Sequence, residues 1–389
     1  MKLIDVRLEK EKCTGCQACQ SVCPTHAIEM NMSDNTFLYP DVRQSICIDC
    51  MACVKTCPVI KEMSFERLEE PVCYAAWNEN DEIRRKSSSG GVFTSLAKFI
   101  FEKKGFVYGA AFDEDMCLVH QECNSVENLD PLMGSKYLQS NVNGIYRLIK
   151  KRLEEEEWVL FVGTPCQVAG LNGFLKKDYD QLITLDFICH GVPSAQLFSD
   201  YIRELEAKNN SKVKSYFFRR KLNGWKKFNI EIHYESGLKE EALLSQDCYM
   251  KGFLADIYLR PSCYQCSFSR LPRVADMSVA DFWKVWDSMP EIYDEKGISA
   301  VLLNSVKGVE IYSRLKNIRS VETRLEWIIA GNPSLNSSVS RSSKSKLFYK
   351  LYNKKLPFSF IIKECFPEPN YWEKLCWSLS KRIYKIRKK

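Results

Sequence analysis

The sequence predicts a small α+β module followed by an α/β domain with a mixed sheet. Three observations predict it. One cysteine spacing occurs twice, as Cys13-x-x-Cys16-x-x-Cys19-x-x-x-Cys23-Pro24 and as Cys47-x-x-Cys50-x-x-Cys53-x-x-x-Cys57-Pro58. Apolar strand-like runs then alternate with helical patterns, which argues an α/β sheet. Between Lys214 and Tyr234, Phe228, Ile230, Ile232 and Tyr234 alternate with polar residues and Asn223-Gly224 marks a turn, so further strands join and the sheet is expected to be mixed.

The cysteine runs come first. Three thiolates at two-residue intervals wrap three corners of a 4Fe–4S cubane, and the fourth, before Pro, leaves to ligate the neighbouring cluster, as in two-cluster ferredoxins. Cluster one is then Cys13, Cys16, Cys19 and Cys57, and cluster two is Cys47, Cys50, Cys53 and Cys23. Zinc knuckles use CxxC pairs or Cys/His mixtures, not two complete four-Cys runs. His26 is expected at the surface, since all eight ligand positions are filled. This α+β ferredoxin-like module spans 1–68, and Lys61 to Pro71, charged and closed by Glu-Glu-Pro, reads as a linker.

The α/β domain spans 69–310. After Ser87-Ser88-Ser89-Gly90-Gly91, apolar residues recur at helical spacing from Val92 to Lys104, and Gly105 stops the helix. Phe106 to Phe112 is a buried strand. Trp158 to Val162 is another, ending in Gly163-Thr164-Pro165-Cys166, with a helix from Gln167 to Leu175. Leu182 to Phe187 ends in Ile188-Cys189-His190-Gly191, and Ser194 caps a helix from Ala195 to Ala207. Cys166 and Cys189 thus sit at strand carboxyl ends, where open α/β sheets place ligands. With Cys263-x-x-Cys266 they make four thiolates, enough for a third 4Fe–4S cluster. Isolated buried thiols are the plainer alternative, and Cys73, Cys117, Cys123, Cys248, Cys365 and Cys376 fit it. His190 is the candidate catalytic acid, since imidazole is the side chain suited to proton transfer near neutral pH, or it only packs beside the cysteines.

Charge is uneven. The net charge is +7, but Arg341 to Lys389 carries 14 Lys/Arg against 3 Asp/Glu, so the other 340 residues carry −4. A weakly acidic body excludes nucleic acid as partner. Residues 311–389 read as a C-terminal helical extension whose basic, aromatic end, from Tyr371 to Lys389, is expected to dock on the body or to contact an anionic membrane surface peripherally. No apolar run reaches the length of a membrane span, and no secretory core follows Met1, so a cytoplasmic protein is expected. There 18 cysteines point to metal or redox centres rather than disulfides.

In their order along the chain, Ser88-Ser89-Gly90-Gly91, Gly134-Ser135-Lys136-Tyr137 with Gln139-Ser140, Gly163-Thr164-Pro165-Cys166-Gln167, Cys189-His190-Gly191-Val192-Pro193, Cys263-x-x-Cys266 and Ala280-Asp281-Phe282-Trp283 resemble the beta-subunit family of coenzyme F420-reducing hydrogenase and dehydrogenase. The resemblance covers about residues 70 to 310. It implies an FAD site beside an iron–sulfur cluster, with electrons moving between one-electron carriers and a two-electron acceptor; many bacterial members with this fusion lie near surface-polysaccharide biosynthesis. One departure is Lys284 after Trp283, where members often have Gly. There is no G-x-G-x-x-G after a strand. Ser88, Ser89, Gly90, Gly91, Gly134, Ser135, Lys136, Tyr137, Gln139, Ser140 and Thr164 are therefore the candidate flavin contacts, with the helix start near Val92 and the Lys136 charge facing the pyrophosphate.

A flavin also follows from the electron count, because clusters pass one electron and most organic substrates take two. The expected function is an iron–sulfur flavoprotein oxidoreductase acting on a small molecule, with ferredoxin or another carrier as electron donor or acceptor. An electron-transfer subunit relaying to a partner enzyme, a coenzyme F420 dehydrogenase and a scaffold with vestigial clusters are the alternatives; eight intact ferredoxin cysteines speak against the last.

Overall fold

The computed structural model describes residues 8–61, 66–142 and 144–367. In the first module the sequence repeat becomes a backbone repeat. Gln17 and Met51, at matching positions, both take left-handed conformations (φ 62° and 61°), each opening a five-residue helix, Ala18–Val22 and Ala52–Thr56. Between them β1 (Ile28–Met32) and β2 (Leu38–Val42) form an antiparallel ladder.

The second domain is built on eight strands: β3 (Val72–Asn78), β4 (Phe106–Phe112), β5 (Leu118–Cys123), β6 (Val159–Gly163), β7 (Leu182–Phe187), β11 (Met277–Asp281), β12 (Ser299–Leu303) and β13 (Ile318–Glu322). Their order is β13-β3-β12-β11-β7-β6-β4-β5. The centre, β11-β7-β6-β4, is parallel, and the flanking strands are antiparallel. The sheet is mixed, but not through the residues expected to mix it. The stretch from Lys214 to Tyr234 supplies β8 (Val213–Arg220) and β9 (Asn229–Tyr234), which with β10 (Lys239–Leu243) make a separate three-stranded sheet. Alternation of apolar residues identifies a strand but not its neighbour. The large sheet also runs past residue 310, because β13 pairs with β3.

Period-two alternation divides the core. Val107 and Leu160 face one side, where the helix Val92–Glu102 packs. Tyr108, Val159 and Phe161 face the other, with the helices Ile145–Glu154 and Pro165–Leu175. Cys16 and Ala18 of the first module join that second cluster, so the module docks on the outer side of these helices. Polar bonds hold it there: Thr56 donates to the Gly173 carbonyl at 2.8 Å, Arg147 to the Ser21 and Cys23 carbonyls at 2.7 and 3.0 Å, and Val142 N–H to Gln17 Oε1 at 3.0 Å. His26 is exposed, as expected. The helix after β7 runs Ala195–Asn209, with Ser194 Oγ accepting from Leu197 N–H at 3.1 Å.

Two helices, Ser345–Tyr352 and Phe358–Cys365, pack against the three-stranded sheet. The basic end of the expected extension, 368–389, lies outside the described residues. No helix among the described residues is long and apolar enough to cross a membrane.

Candidate redox site

Cys13, Cys16, Cys19 and Cys57 line one small cavity, together with Leu8 and Val59. All four are buried. Burial raises the Cys16 thiol far above its usual value, and the nearby Cys57, Cys166 and Cys13 push it further. Cys19 is raised in the same way, by burial and then by Cys16, Cys13 and Cys57. Such crowded thiols cannot all ionise without a cation among them.

The second set is more open. Cys23 and Cys53 are buried, Cys47 is half-buried and Cys50 is exposed. Cys23, Cys47 and Cys53 pack in one cluster. Burial raises the Cys23 thiol, but hydrogen bonds from Thr25 and the Ala27 N–H, the latter at 3.2 Å from Sγ, outweigh it and leave the thiol below its usual value. That is the environment a bound thiolate needs. Among the described residues no three His, Cys, Asp or Glu side chains close on a point as a mononuclear ion requires. A four-iron cube takes one thiolate at each of four separate corners.

A third set stands between the first module and the sheet. Cys166, Cys189, Cys263 and Cys266 line one cavity with Thr14, His190 and Arg273. Burial pushes the Cys166 thiol up to about 12 and Cys263 up to about 11, and each also feels Cys266. Burial, then Cys263, Cys166 and Cys266, raises Cys189 well above its usual value. Cys166 opens the helix Pro165–Leu175, which is the helix that meets Cys16. Thr14 lines both the first and the third cavity.

Beside the third set lies a far larger cavity of about 500 Å³, in the range of small-molecule sites. It opens at the carboxyl ends of the parallel strands, at Gly163, Phe187 and Asp281, and shares Thr164, Cys189, His190 and Gly191 with the third set. Most expected flavin contacts line it: Ser88, Ser89, Gly91, Gly134, Ser135, Lys136, Tyr137, Ser140 and Thr164. Ser135 donates through N–H and Oγ to Ser88 Oγ at 2.7 and 2.8 Å, which joins the two loops. Gly91 (φ 87°) starts the helix Val92–Glu102. A Cβ on Gly134 (φ 78°) would meet nothing within 4 Å, so the space over this loop is open. Lys136 Nζ donates to the Pro131 and Met133 carbonyls at 2.7 and 2.9 Å, and burial lowers its ammonium to about 7.

Two expected contacts lie elsewhere. Gly90 backs onto the sheet: its N–H donates to Ser299 Oγ at 2.9 Å, and a Cβ would fall 2.3 Å from the Ala76 carbonyl. Gln139 turns toward the first module, donating to the Thr14 carbonyl at 2.9 Å and accepting from Arg260 at 2.9 Å. Adjacent residues of an extended segment point to opposite sides, so Ser140 faces the cavity and Gln139 does not.

His190 lies at the wall between the two cavities, with Nε2 2.6 Å from Asp256 Oδ1 and its ring edge-on to Phe253 at 5.3 Å. The cavity also holds residues that the sequence did not single out. His120 is buried, bonds the Val162 carbonyl through Nε2 at 3.0 Å and is held neutral, its pKa lowered by burial to about 4. Arg219 makes a two-pronged bond to Asp281 at 2.6 and 3.0 Å and stacks on Phe228 at 3.8 Å. Asp281 lay in a quoted motif; His120 and Arg219 carry no local signal in the sequence.

Residues 12–60 match a 4Fe-4S dicluster domain, and residues 156–326 match the C terminus of the coenzyme F420 hydrogenase/dehydrogenase beta subunit. The chain joins a 4Fe-4S dicluster domain to an F420 hydrogenase/dehydrogenase beta-subunit domain. All eight cysteines of the first two sets fall inside the dicluster domain, and all four of the third fall inside the beta-subunit domain. The beta-subunit match begins at 156, so the loops at Ser88 and Lys136 precede it. Among solved structures, a chain of the F420-reducing NiFe hydrogenase complex from Methanosarcina barkeri is similar, at 18% identity over 69% of this chain and 89% of that chain, with a TM-score of 0.46. No curated protein matches the chain. Dicluster and beta-subunit domains together make the protein an iron–sulfur, electron-transferring oxidoreductase.

Proposed function

We propose that the protein is an iron–sulfur flavoprotein that passes electrons between a ferredoxin-type carrier and a small molecule bound beside FAD. One observation carries this reading: four cysteines from three separate segments line one cavity next to the buried ferredoxin set, and Cys189 among them also lines the cavity of about 500 Å³. Cys166, Cys189, Cys263 and Cys266 would hold a third 4Fe–4S cluster, and the loops at Ser87–Gly91 and Gly134–Ser140 would hold the flavin. Bound there, the flavin supplies the exchange between one- and two-electron chemistry.

The protein's own residues then do three things. The exposed Cys50, flanked by the exposed Ile46 and Ile48, presents the second set to a carrier. The first set is buried and leads inward through Thr14 and Cys16 to Cys166. Asp256 holds the proton of His190 on Nε2, fixing the ring at the cavity wall.

Anaerobic purification with iron and flavin analysis tests the proposal. About twelve Fe per chain, four per cluster, with one releasable FAD is expected. Cys189→Ser should remove about four Fe and leave the ferredoxin-type signal. About eight Fe without flavin in the parent would leave an electron-relay subunit as the correct reading.

A further inference from the structure

The two cysteine repeats share a backbone but not a charge environment. Gly15 and Asp49 occupy the same position, each one residue before the second Cys of its run, and both are left-handed (φ 67° and 51°). What lies over them differs. The Arg260 guanidinium sits against Gly15: a Cβ there would meet Arg260 Nη1 at 2.6 Å and Cζ at 2.7 Å. Arg260 Nε donates to the Cys13 carbonyl at 2.7 Å, Nη2 to the Leu38 carbonyl at 2.8 Å, and Nη2 also lies 3.7 Å from Cys13 Sγ. Its side chain stacks near Tyr39, 4.6 Å from the ring centroid. At the second repeat, the carboxylate of Asp49 stands 4.0 Å from Cys47 Sγ.

Arg260 is 1% exposed, and among the described residues no Asp or Glu pairs with it. A buried cation without a counter-charge is expensive. The nearest anion that would compensate it is a thiolate-ligated cluster at Cys13, 3.7 Å from Nη2, which carries net negative charge and gains one more on reduction; the charge also favours the thiolates of Cys166 and Cys263 in the third set.

We propose that Arg260 over Gly15, opposed by Asp49 on the matching loop, makes the inner ferredoxin cluster a better electron acceptor than the outer one. The cation stabilises the added electron inside, and the carboxylate opposes it outside. The bias drives electrons from the exposed set toward the third set. This needs the ligand assignment of the two ferredoxin clusters but neither the third cluster nor the flavin.

The test is an EPR-monitored redox titration of the anaerobically reconstituted full chain, with iron counted in every sample. Cys47→Ser identifies the outer cluster's wave and Cys189→Ser that of any third cluster, so the wave kept in both is the inner cluster's. In the parent the inner wave should lie above the outer. Arg260→Gln should cost the inner cluster about tenfold in its reduction equilibrium, a downward shift of ~59 mV for one electron, and leave the outer wave in place. Arg260→Lys, keeping the charge, should hold the inner wave near the parent's. Asp49→Arg, on an exposed loop that needs no repacking, should raise the outer wave. Coincident waves in the parent, or an unmoved inner wave in Arg260→Gln with full iron, would overturn the proposal. Should Arg260→Gln lose iron, Asp49→Arg decides alone, and an unmoved outer wave there is equally fatal. A count of about eight Fe would remove the third cluster without touching this result.

Discussion

Gly170 lies against Cys16. A Cβ built on it would meet Cys16 Cβ at 2.9 Å and Sγ at 3.0 Å, closer than real side chains approach. Gly170 is the fifth residue after Pro165 in the helix that carries Cys166, so its missing side chain is what lets the first cysteine set approach the third. Three residues on, a Cβ at Gly173 would fall 2.4 Å from the Thr56 carbonyl. Gly170→Val should therefore push the Cys16 loop away. The expected result is loss of about four Fe from the first cluster, with the helix retained, read by iron analysis and far-UV circular dichroism. Full iron in Gly170→Val would show that the loop yields at little cost.

Flavin retention should depend on pH through Lys136. Burial lowers its ammonium from 10.5 to about 7. In the flavin-free protein the buried charge is a cost below pH 7, relieved as pH rises from about 7 toward the unfolded value, so stability rises across that window. A bound pyrophosphate reverses the preference, since it favours the charged form. FAD should be held best near or below pH 7 and lost progressively above it. Lys136→Met should bind more weakly with a flat profile. Equilibrium dialysis across pH 6–10 checks both, and an unchanged profile in the variant would place the pyrophosphate elsewhere.

Asp186 and Arg273 form an ion pair at 3.0 Å, 0% and 1% exposed, beside the third cysteine set. Burial raises the Asp186 carboxyl, and Arg273 opposes the rise. Arg273→Met removes the nearest counter-charge from the buried carboxylate, leaving Ser278 and the more distant Arg67 charge, and should cost about 3–5 kcal/mol in the urea midpoint analysis. Asp186→Asn in the same chain should recover part of that loss. Additive single effects would show that the two groups do not act as a pair.

Lys284 stands where beta-subunit relatives were expected to carry Gly, and its φ is 66°. A side chain in that conformation is strained by about 1 kcal/mol. It is exposed and starts the short helix Val285–Ser288. Lys284→Gly should raise stability by roughly 0.5–1 kcal/mol, measured as an upward shift in the unfolding midpoint with cluster content unchanged.

The sequence by itself determined the elements that local chemistry controls. Two complete Cys runs require the same wrapped loops wherever they occur, so both ferredoxin sets and their repeated backbone were legible. Apolar runs bounded by Gly, Pro and Ser marked β4, β6 and β7 and the helices after β6 and β7, because periodicity and caps act within a few residues. Only the tertiary structure decided which elements are neighbours. The alternating strands from Val213 to Tyr234 built a second sheet, and the large sheet was mixed instead by β3, β5, β12 and β13. Pairing partners depend on long-range packing that no local pattern encodes. The same holds for side chains in the motif around Lys136. Ser140 faces the cavity, while its neighbour Gln139 clamps the first module through Thr14 and Arg260. Arg260 carries no local signal in the sequence. Folding placed it, far along the chain, over a glycine 245 positions earlier, whose missing Cβ leaves room for the guanidinium.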